Sequence, residues 1–126
     1  MIRKDYIQRY FDELAKVLAA VLQLKNDFKS TEAEAKLNDF STDYLGIPLA
    51  ELLSLTPVEV VDYLIKEKEF TLTHFKLLED ILYQQYLIKQ NECNLKKITL
   101  TILRYTSVND TDYSIERAIR IKELSV

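Results

Sequence analysis

The two side chains best suited to chemistry near neutral pH are the single histidine, His74, and the single cysteine, Cys93. A catalytic cysteine–histidine pair would need these side chains in contact, yet they are 19 positions apart. If one helix joins them, that spacing corresponds to roughly 28 Å at 1.5 Å per residue. No acid lies three or four positions from His74, so the helical spacings of zinc-binding HExxH and di-iron ExxH motifs are missing.

We therefore predict no catalytic residue and no metal site, with His74 on a helix surface or in a helix cap and Cys93 semi-buried or in a turn. A phosphate-binding loop needs several glycines, and the chain has one, Gly46. A serine nucleophile would have to use His74 as its base. The sequence favours a non-catalytic protein with no cofactor and no known small-molecule ligand. The alternative is a small helical ligand-binding protein or enzyme that uses His74 with nearby tyrosines and carboxylates.

The eight tyrosines are a mild sign of a binding surface, because tyrosine is enriched where proteins contact each other. Tyr83 and Tyr86 are close in sequence, and Tyr6 and Tyr10 share one side of the first predicted helix, with Arg9 between them. These five residues are our candidate interaction surface. The same tyrosines also suit helix packing with hydroxyl groups that reach water.

The charge pattern argues against nucleic acid as a partner. The formal net charge is −3, so no strong overall field attracts phosphate. A local basic group, Lys89, Lys96, Lys97 and Arg104, leaves nucleic-acid binding as a weaker idea, but solvated helix faces explain such charges equally well. The longest apolar run covers only residues 17–22, so we expect no membrane partner. A lone cysteine fits a reducing compartment, and we predict a cytoplasmic protein.

The elements that would position these residues are helices. Apolar residues make up 48% of the chain, enough for a core, while one glycine and two prolines supply too few tight turns for a sheet protein. In the first helix, predicted from Tyr6 to about Phe28, apolar residues recur at alternating spacings of three and four: Ile7, Tyr10, Leu14, Val17, Val21, Leu24 and Phe28. Phe11 and Leu18 widen this stripe, which is typical of a bundle helix packed against two neighbours. Asp5 is a candidate N-cap.

Further helices follow from caps and spacing. We predict them from Ser30 or Thr31 to Gly46, Leu49 to Leu53, Thr56 to Lys68, Thr71 or Thr73 to Asn91, Leu95 to Ser107, and Tyr113 to Leu124. The last helix has Ile115, Ala118, Ile119 and Ile121 as its apolar positions. Residues 98–102 alternate like a strand, but no partner strand is evident, and we interpret them as helix. The sequence predicts an all-α single domain over residues 1–126, an antiparallel bundle or short TPR-like array of six to seven helices.

The opening stretch also carries a resemblance. Asp5 and Tyr6 form an Asp-Tyr pair, Arg9 follows four positions after the Asp, and a Leu/Ala-rich run comes next, with Leu14, Ala15, Leu18 and Leu22. Over about the first 25 residues this pattern resembles the start of a family of small, uncharacterised bacterial proteins. The resemblance implies an all-helical, TPR-like fold in a bacterium and no particular activity. Together these observations predict a helical protein–protein interaction module that binds another protein or forms a homodimer.

Overall fold

The computed structural model describes the backbone of residues 4–126 and the side chains of residues 7–126. Residues 4–126 form seven α-helices and no strand, which confirms the predicted all-α class. The helices are α1 (Lys4–Asn26), α2 (Ser30–Leu45), α3 (Leu49–Leu53), α4 (Val60–Lys68), α5 (Leu72–Ile88), α6 (Cys93–Asn109) and α7 (Ile115–Leu124). The predicted cap at Asp5 and the predicted contact residue Tyr6 involve side chains outside the described residues.

The helices pack as a row, because each main helix contacts the next along the series α1, α2, α5, α6, α7. Neighbouring helices in the row run antiparallel. The short helices α3 and α4 connect α2 to α5 along the chain, and both contact α6. The row therefore has α1 and α7 at its two ends.

One apolar core runs through this row from α1 to α6. Val21, Leu37, Phe75, Ile81 and Ile98 lie in it, and their side chains are almost fully buried. Each comes from a helix whose apolar residues recur every three or four positions, as burial of one helix face requires. This core joins the first six helices.

Residues 98–102, whose alternation resembled a strand, are helical as predicted and lie in the middle of α6. Ile98, Thr99 and Ile102 are buried. The hydroxyl of Thr99 donates to the carbonyl of Leu95 at 2.7 Å, so burial leaves this polar group satisfied. Branched residues lower helix propensity only slightly, and tertiary burial outweighs that preference here.

Helices α2 and α5 begin where predicted, whereas α4 begins at Val60, four residues after the predicted cap Thr56. The Thr56 hydroxyl accepts from the backbone N–H of Glu59, and the Glu59 carboxylate accepts from the Thr56 N–H at 2.9 Å, ahead of α4. Thr71 and His74 make the same reciprocal contact at the start of α5. Helix α2 begins at Ser30, as predicted, but it has no side-chain cap, so the capping box expected from Thr31 and Glu34 does not form. Gly46 ends α2 in a left-handed conformation with φ 75°, as predicted.

The first helix ends earlier than expected. We predicted Phe28 as part of the apolar stripe, but Phe28 lies in the turn after α1 with φ 59° and its side chain is 94% exposed. The left-handed turn there directs the chain into α2. None of the helices in residues 4–126 combines the length and apolarity that crossing a lipid bilayer requires.

Candidate functional site

The face that α7 turns toward the rest of the protein is built from charged residues. Its buried side chains are those of Arg117, Arg120 and Leu124, while Ile115 and Ile119 are 67% and 61% exposed. The apolar positions predicted for α7 therefore do not form its buried face. We call the charged residues at this junction, Glu79, Asp80, Asp110, Arg117 and Arg120, the α7 clamp.

Arg117 joins α7 to the middle of α5. Its Nε donates to both carboxylate oxygens of Glu79 at 3.0 and 2.9 Å, and its Nη2 donates to Oε1 at 2.9 Å. Its Nη1 contacts Asp110 at 3.3 Å, and Asp110 is also paired with Lys76. The side chains of Arg117, Glu79 and Asp110 are each less than a tenth exposed. The pairing is thus bidentate and buried, the geometry that fixes an arginine most firmly.

Arg120, one turn further along α7, repeats this arrangement nearer to the surface. Its Nη1 donates to Asp80 at 2.6 Å, and its Nη2 is bound by Glu116 of the same helix. The guanidinium carbon lies 4.2 Å from the centre of the Tyr83 ring, a cation–π contact. The Tyr83 hydroxyl in turn donates to Glu123 at 2.9 Å. Two successive inward positions of α7 therefore carry arginines, each with an acid of α5 as its partner.

The electrostatics of the α7 clamp fit a structural role. Burial raises the pKa of Glu79, and the hydrogen bonds from Arg117 oppose that shift. Burial likewise raises the pKa of Asp80, opposed by Arg120. The backbone N–H of Asp112 lowers the pKa of Asp110, and Lys76 acts in the same direction. Perturbed carboxylates often mark active sites, but here their oxygens are engaged by neighbouring donors rather than directed at an open cleft.

A shallow cavity of about 160 Å³ lies where the α6–α7 loop meets α7. Its lining includes Asp110, Asp112, Tyr113, Arg117 and Ala118. The guanidinium of Arg117 is already paired with Glu79 and Asp110, so the cavity presents no unpaired cation from this residue. Across residues 7–126, no cluster of three histidine, cysteine, aspartate or glutamate side chains has a metal-binding arrangement.

The predicted tyrosine surface is divided between two helix junctions. Tyr10 packs edge-on against Tyr44 of α2, with ring centres 5.1 Å apart. Tyr83 and Tyr86 lie 6.3 Å apart on α5, where Tyr83 also contacts Arg120 of α7. Arg9 is exposed on α1. The structure thus brings Tyr83 and Tyr86 together and uses Tyr10 in packing between α1 and α2.

His74 is a helix-capping residue, one of the two roles predicted for it. Its Nδ1 accepts the backbone N–H of Thr71 at 2.9 Å, and its ring lies 5.1 Å from that of Phe70. Burial lowers the pKa of His74. Among the described residues its side-chain hydrogen bonds and ring contacts are with Thr71 and Phe70, and none is with a tyrosine or a carboxylate. Cys93 is exposed at the first position of α6, which corrects the semi-buried setting we had allowed for it.

Three of the four basic residues considered for nucleic acid have side-chain contacts at separate places, while the fourth, Lys97, is exposed on α6. Lys89 pairs with Glu34 at 3.4 Å and with Glu92 at 3.7 Å. Lys96 donates to a backbone carbonyl at residue 126, and Arg104 donates to the Ser125 hydroxyl. These contacts distribute the side chains over two helix junctions rather than aligning them as one basic stripe.

One side of α1 carries apolar and small residues that the fold leaves largely uncovered. We call it the α1 flank, and its members follow helical spacing: Phe11, Ala15, Leu18, Ala19 and Leu22. Ala15 and Ala19 are exposed, Leu22 is 60% exposed, and Phe11 and Leu18 are half-buried at the edge of the core. Asp12, three positions before Ala15 and seven before Ala19, lies at the edge of this side, while Glu13 and Lys16 lie further round the helix.

The sequence predicted neither the exposed α1 flank nor the α7 clamp. It predicted a wide stripe on α1 packed against two neighbours, and in the structure Phe11 and Leu18 pack against the core while α1 contacts α2 and α5. A signal for the α7 clamp did exist, because Glu79 and Asp80 interrupt the apolar run of residues 77–82 in α5. Acids placed inside such a run need buried partners, which α7 supplies.

No family model matches the chain, and neither a curated protein nor a solved structure matches it. The fold and the contacts above are therefore the basis for assigning a role, and no residue role is carried over from a relative.

Proposed function

We propose that this protein is a non-catalytic helical interaction module that binds a protein partner through the α1 flank. The observation that carries the proposal is the run of Phe11, Ala15, Leu18, Ala19 and Leu22 along one side of an end helix. Three of these residues are exposed and two are half-buried, with Asp12 at the edge of the run. Soluble proteins tend to bury such continuous apolar stripes, and those left open often mark interaction sites.

The shape of the α1 flank favours a helical partner. It extends about 17 Å along α1 at 1.5 Å per residue. Ala15 and Ala19 have small side chains near the middle of this surface, while the larger side chains of Phe11 and Leu22 lie at its two ends. An amphipathic helix can lay its apolar side along such a surface, with large side chains over the alanines.

The tyrosine surface predicted from the sequence stays a prediction and is separate from the α1 flank. Helical periodicity places Arg9 and Tyr10 on other sides of α1. Tyr83 and Tyr86 contact each other on α5, and Tyr83 also contacts Arg120 of α7. A surface used for binding would need to be more exposed than these packed rings.

The proposal also covers the cellular compartment and the origin of the protein. We place it in the cytoplasm, supported by an exposed single cysteine, which is compatible with a reducing compartment. The resemblance of the first 25 or so residues to small bacterial helical proteins supports a bacterial origin and a TPR-like use of the helix row. The alternative role for His74 in ligand binding or catalysis gains no support from its capping contacts.

The test uses a photo-reactive amino acid at position 22 and, as a matched control, at position 58. Leu22 is 60% exposed in the α1 flank and Val58 is 93% exposed in the turn before α4. A partner that binds the α1 flank cross-links at position 22 and not at position 58. The affinity of the purified partner should then fall at least about tenfold in Leu22→Glu, since a charge must be desolvated there, and stay unchanged in Val58→Glu.

Either of two results would contradict the proposal. If no protein cross-links at position 22, or if Leu22→Glu binds the captured partner as well as the unaltered chain does, the α1 flank is not the binding surface. Helical content measured by circular dichroism should be equal in both variants, because both side chains lie outside the core.

A further inference from the structure

We propose that α7 occupies a binding surface for paired arginines, and that a second helix carrying two arginines three positions apart can displace it. We call this surface the arginine-binding surface and define it as Glu79, Asp80 and Tyr83 of α5 with Asp110 of the α6–α7 loop. It lies at the opposite end of the helix row from the α1 flank, so the inference goes beyond the proposed function. The partner that it fits is an amphipathic helix with the spacing Arg-x-x-Arg.

The chemistry of the arginine-binding surface selects guanidinium groups. The Glu79 carboxylate accepts hydrogen bonds from both Nε and Nη2 of Arg117, a fork that a lysine ammonium cannot form. Asp80 accepts from Arg120 at 2.6 Å, and the Tyr83 ring lies against the same guanidinium. Lysine would lose a bond at the first position and the stacking contact at the second. The surface therefore discriminates in favour of arginine at both positions.

The arginine-binding surface also sets the spacing of the two arginines in its ligand. Arg117 and Arg120 are three positions apart, so they lie on one face of α7, about 4.5 Å apart along its axis at 1.5 Å per residue. Glu79 and Asp80 are adjacent in α5, and each receives one of the two guanidiniums. Helix α7 is thus a bound example of the ligand, a short helix whose buried face is built around two arginines.

Helix α7 can leave without opening the apolar core. The core residues lie within residues 14–102, and the partly buried side chains packed against them end at Tyr105, ahead of α7. Leu124 is the one fully buried apolar side chain of α7, whereas Ile115 and Ile119 are more than half exposed. Removal of α7 therefore leaves the packing of the core intact, and α7 should open as a local unit.

The charges of the arginine-binding surface tolerate this departure. Burial is the main influence on the pKa of Glu79 and of Asp80 and raises both, so each carboxylate ionises more readily once water reaches it. Asp110 keeps its partner Lys76, which belongs to α5. Because loss of hydration offsets much of the attraction within a buried ion pair, the net attachment of α7 is weaker than the number of its bonds suggests.

The α6–α7 loop sets the concentration at which a competitor succeeds. Helix α7 is tethered through residues 110–114, of which Thr111, Asp112 and Tyr113 are exposed. A short tether gives a local concentration in the range of about 1 mM. A free helix that makes the same contacts as α7 therefore competes only at about that concentration, and a partner that buries more apolar surface displaces α7 at a lower one.

Hydrogen exchange of the full chain measures the displacement directly. The probe is an isotope-labelled synthetic peptide of residues 113–126, whose mass distinguishes it from the α7 of the chain. At about 2 mM peptide, exchange in the α7 of the chain should rise at least about tenfold, while exchange in α5 and α6 stays unchanged. The matched control peptide carries Arg117→Lys and Arg120→Lys and should leave the exchange of α7 unchanged.

A chain with a vacated arginine-binding surface supplies the second measurement. In the variant Arg117→Ala with Arg120→Ala, the α7 of the chain no longer competes, so the peptide should bind at least about tenfold more tightly than to the unaltered chain, measured by fluorescence anisotropy. Adding Glu79→Gln and Asp80→Asn should weaken that binding at least about tenfold. Leu22→Glu should leave it unchanged, which separates this surface from the α1 flank.

Four results would overturn the proposal. Exchange of α7 that ignores the peptide, or a lysine peptide that acts as well as the arginine peptide, would show that paired arginines do not compete for the surface. A vacated variant that keeps its remaining helices, as seen by circular dichroism, yet does not bind the peptide would show that the surface does not act in trans. A vacated variant that loses those helices would show that α7 is a part of the core and not a displaceable ligand.

Discussion

The two end helices of the row attach to it by different chemistry. Helix α1 turns Leu14 and Val21 into the apolar core and is held there by burial. Helix α7 turns Arg117 and Arg120 inward and has Leu124 as its one fully buried apolar side chain. A ten-residue helix has little stability on its own, so α7 depends on these ionic contacts to stay folded.

The difference shows when the apolar pattern of a helix predicts which of its faces is buried. On α1 the residues spaced by three and four face the core, since burial of apolar surface is what docks that helix. On α7 the isoleucines point away, because the two arginines turn inward and pair with the acids Glu79 and Asp80 of α5. Where a neighbouring helix carries buried carboxylates, the arginines that pair with them determine which face of the helix is buried.

The largest effect should come from breaking the α7 clamp at Arg117. Arg117→Ala leaves Glu79 buried without its partner, and we expect the free energy of unfolding to fall by about 3–5 kcal/mol. Urea unfolding followed by circular dichroism measures it. A loss below about 1 kcal/mol would show that α7 is not held by this pair.

A double replacement is the matched control for that variant. Glu79→Leu with Arg117→Met removes both charges and keeps their volume, while Asp110 retains Lys76. Buried ion pairs replaced in this way are often neutral or more stable, so the double variant should recover most of the loss. If it stays as unstable as the single variant, packing rather than charge explains the defect.

At the α1 end of the row, Leu37→Ala tests whether burial of apolar side chains holds the helix in place. Leu37 is fully buried in α2, within the core that holds α1, and its truncation should cost about 2–5 kcal/mol. Hydrogen exchange should then rise across α1 and α2. No second substitution at a charged residue should rescue it, and rescue by one would contradict the contrast between the two ends.

A smaller effect is expected from Arg120→Lys. Lysine keeps the charge but cannot hold Asp80 and Glu116 and also lie flat over the Tyr83 ring. We expect a loss of about 1–2 kcal/mol, measured by thermal unfolding, with hydrogen exchange rising in α7 before other helices. Equal stability of this variant would mean that a point charge at position 120 suffices.

The smallest effect concerns His74, which lies outside both junctions. Its Nδ1 must be unprotonated to accept the Thr71 N–H, and burial lowers its pKa in the folded state. Because the folded pKa lies below the ordinary value near 6.5, this contribution is present above that pH and is lost as pH falls through the lowered pKa. We expect a loss of no more than about 1 kcal/mol, typical of a cap.

His74→Gln supplies the control for this titration. Glutamine at the third helical position can still accept the cap N–H but does not titrate. Its free energy of unfolding should therefore lack the decline of the unaltered chain just below pH 6.5. A decline of the same size in both proteins would assign it to other groups.

These contrasts also show what the sequence could predict. The helices, most of their ends, the cap roles of Thr56 and His74, and the apolar width of α1 follow from local spacing and cap chemistry. The uncapped start of α2 does not, since Glu34 instead accepts from Gln85 of α5 at 3.0 Å. The orientation of α7 depends on residues about forty positions away in α5, beyond the reach of any local pattern.

The bond between Glu79 and Arg117 has a consequence for how such a protein changes over generations. The two residues are 38 positions apart in the chain, yet neither can be replaced alone without leaving a charge in the interior. Descendants should therefore keep both or exchange both within a short time of each other. An ancestral gene in which only one had changed would encode a protein close to the limit of folding.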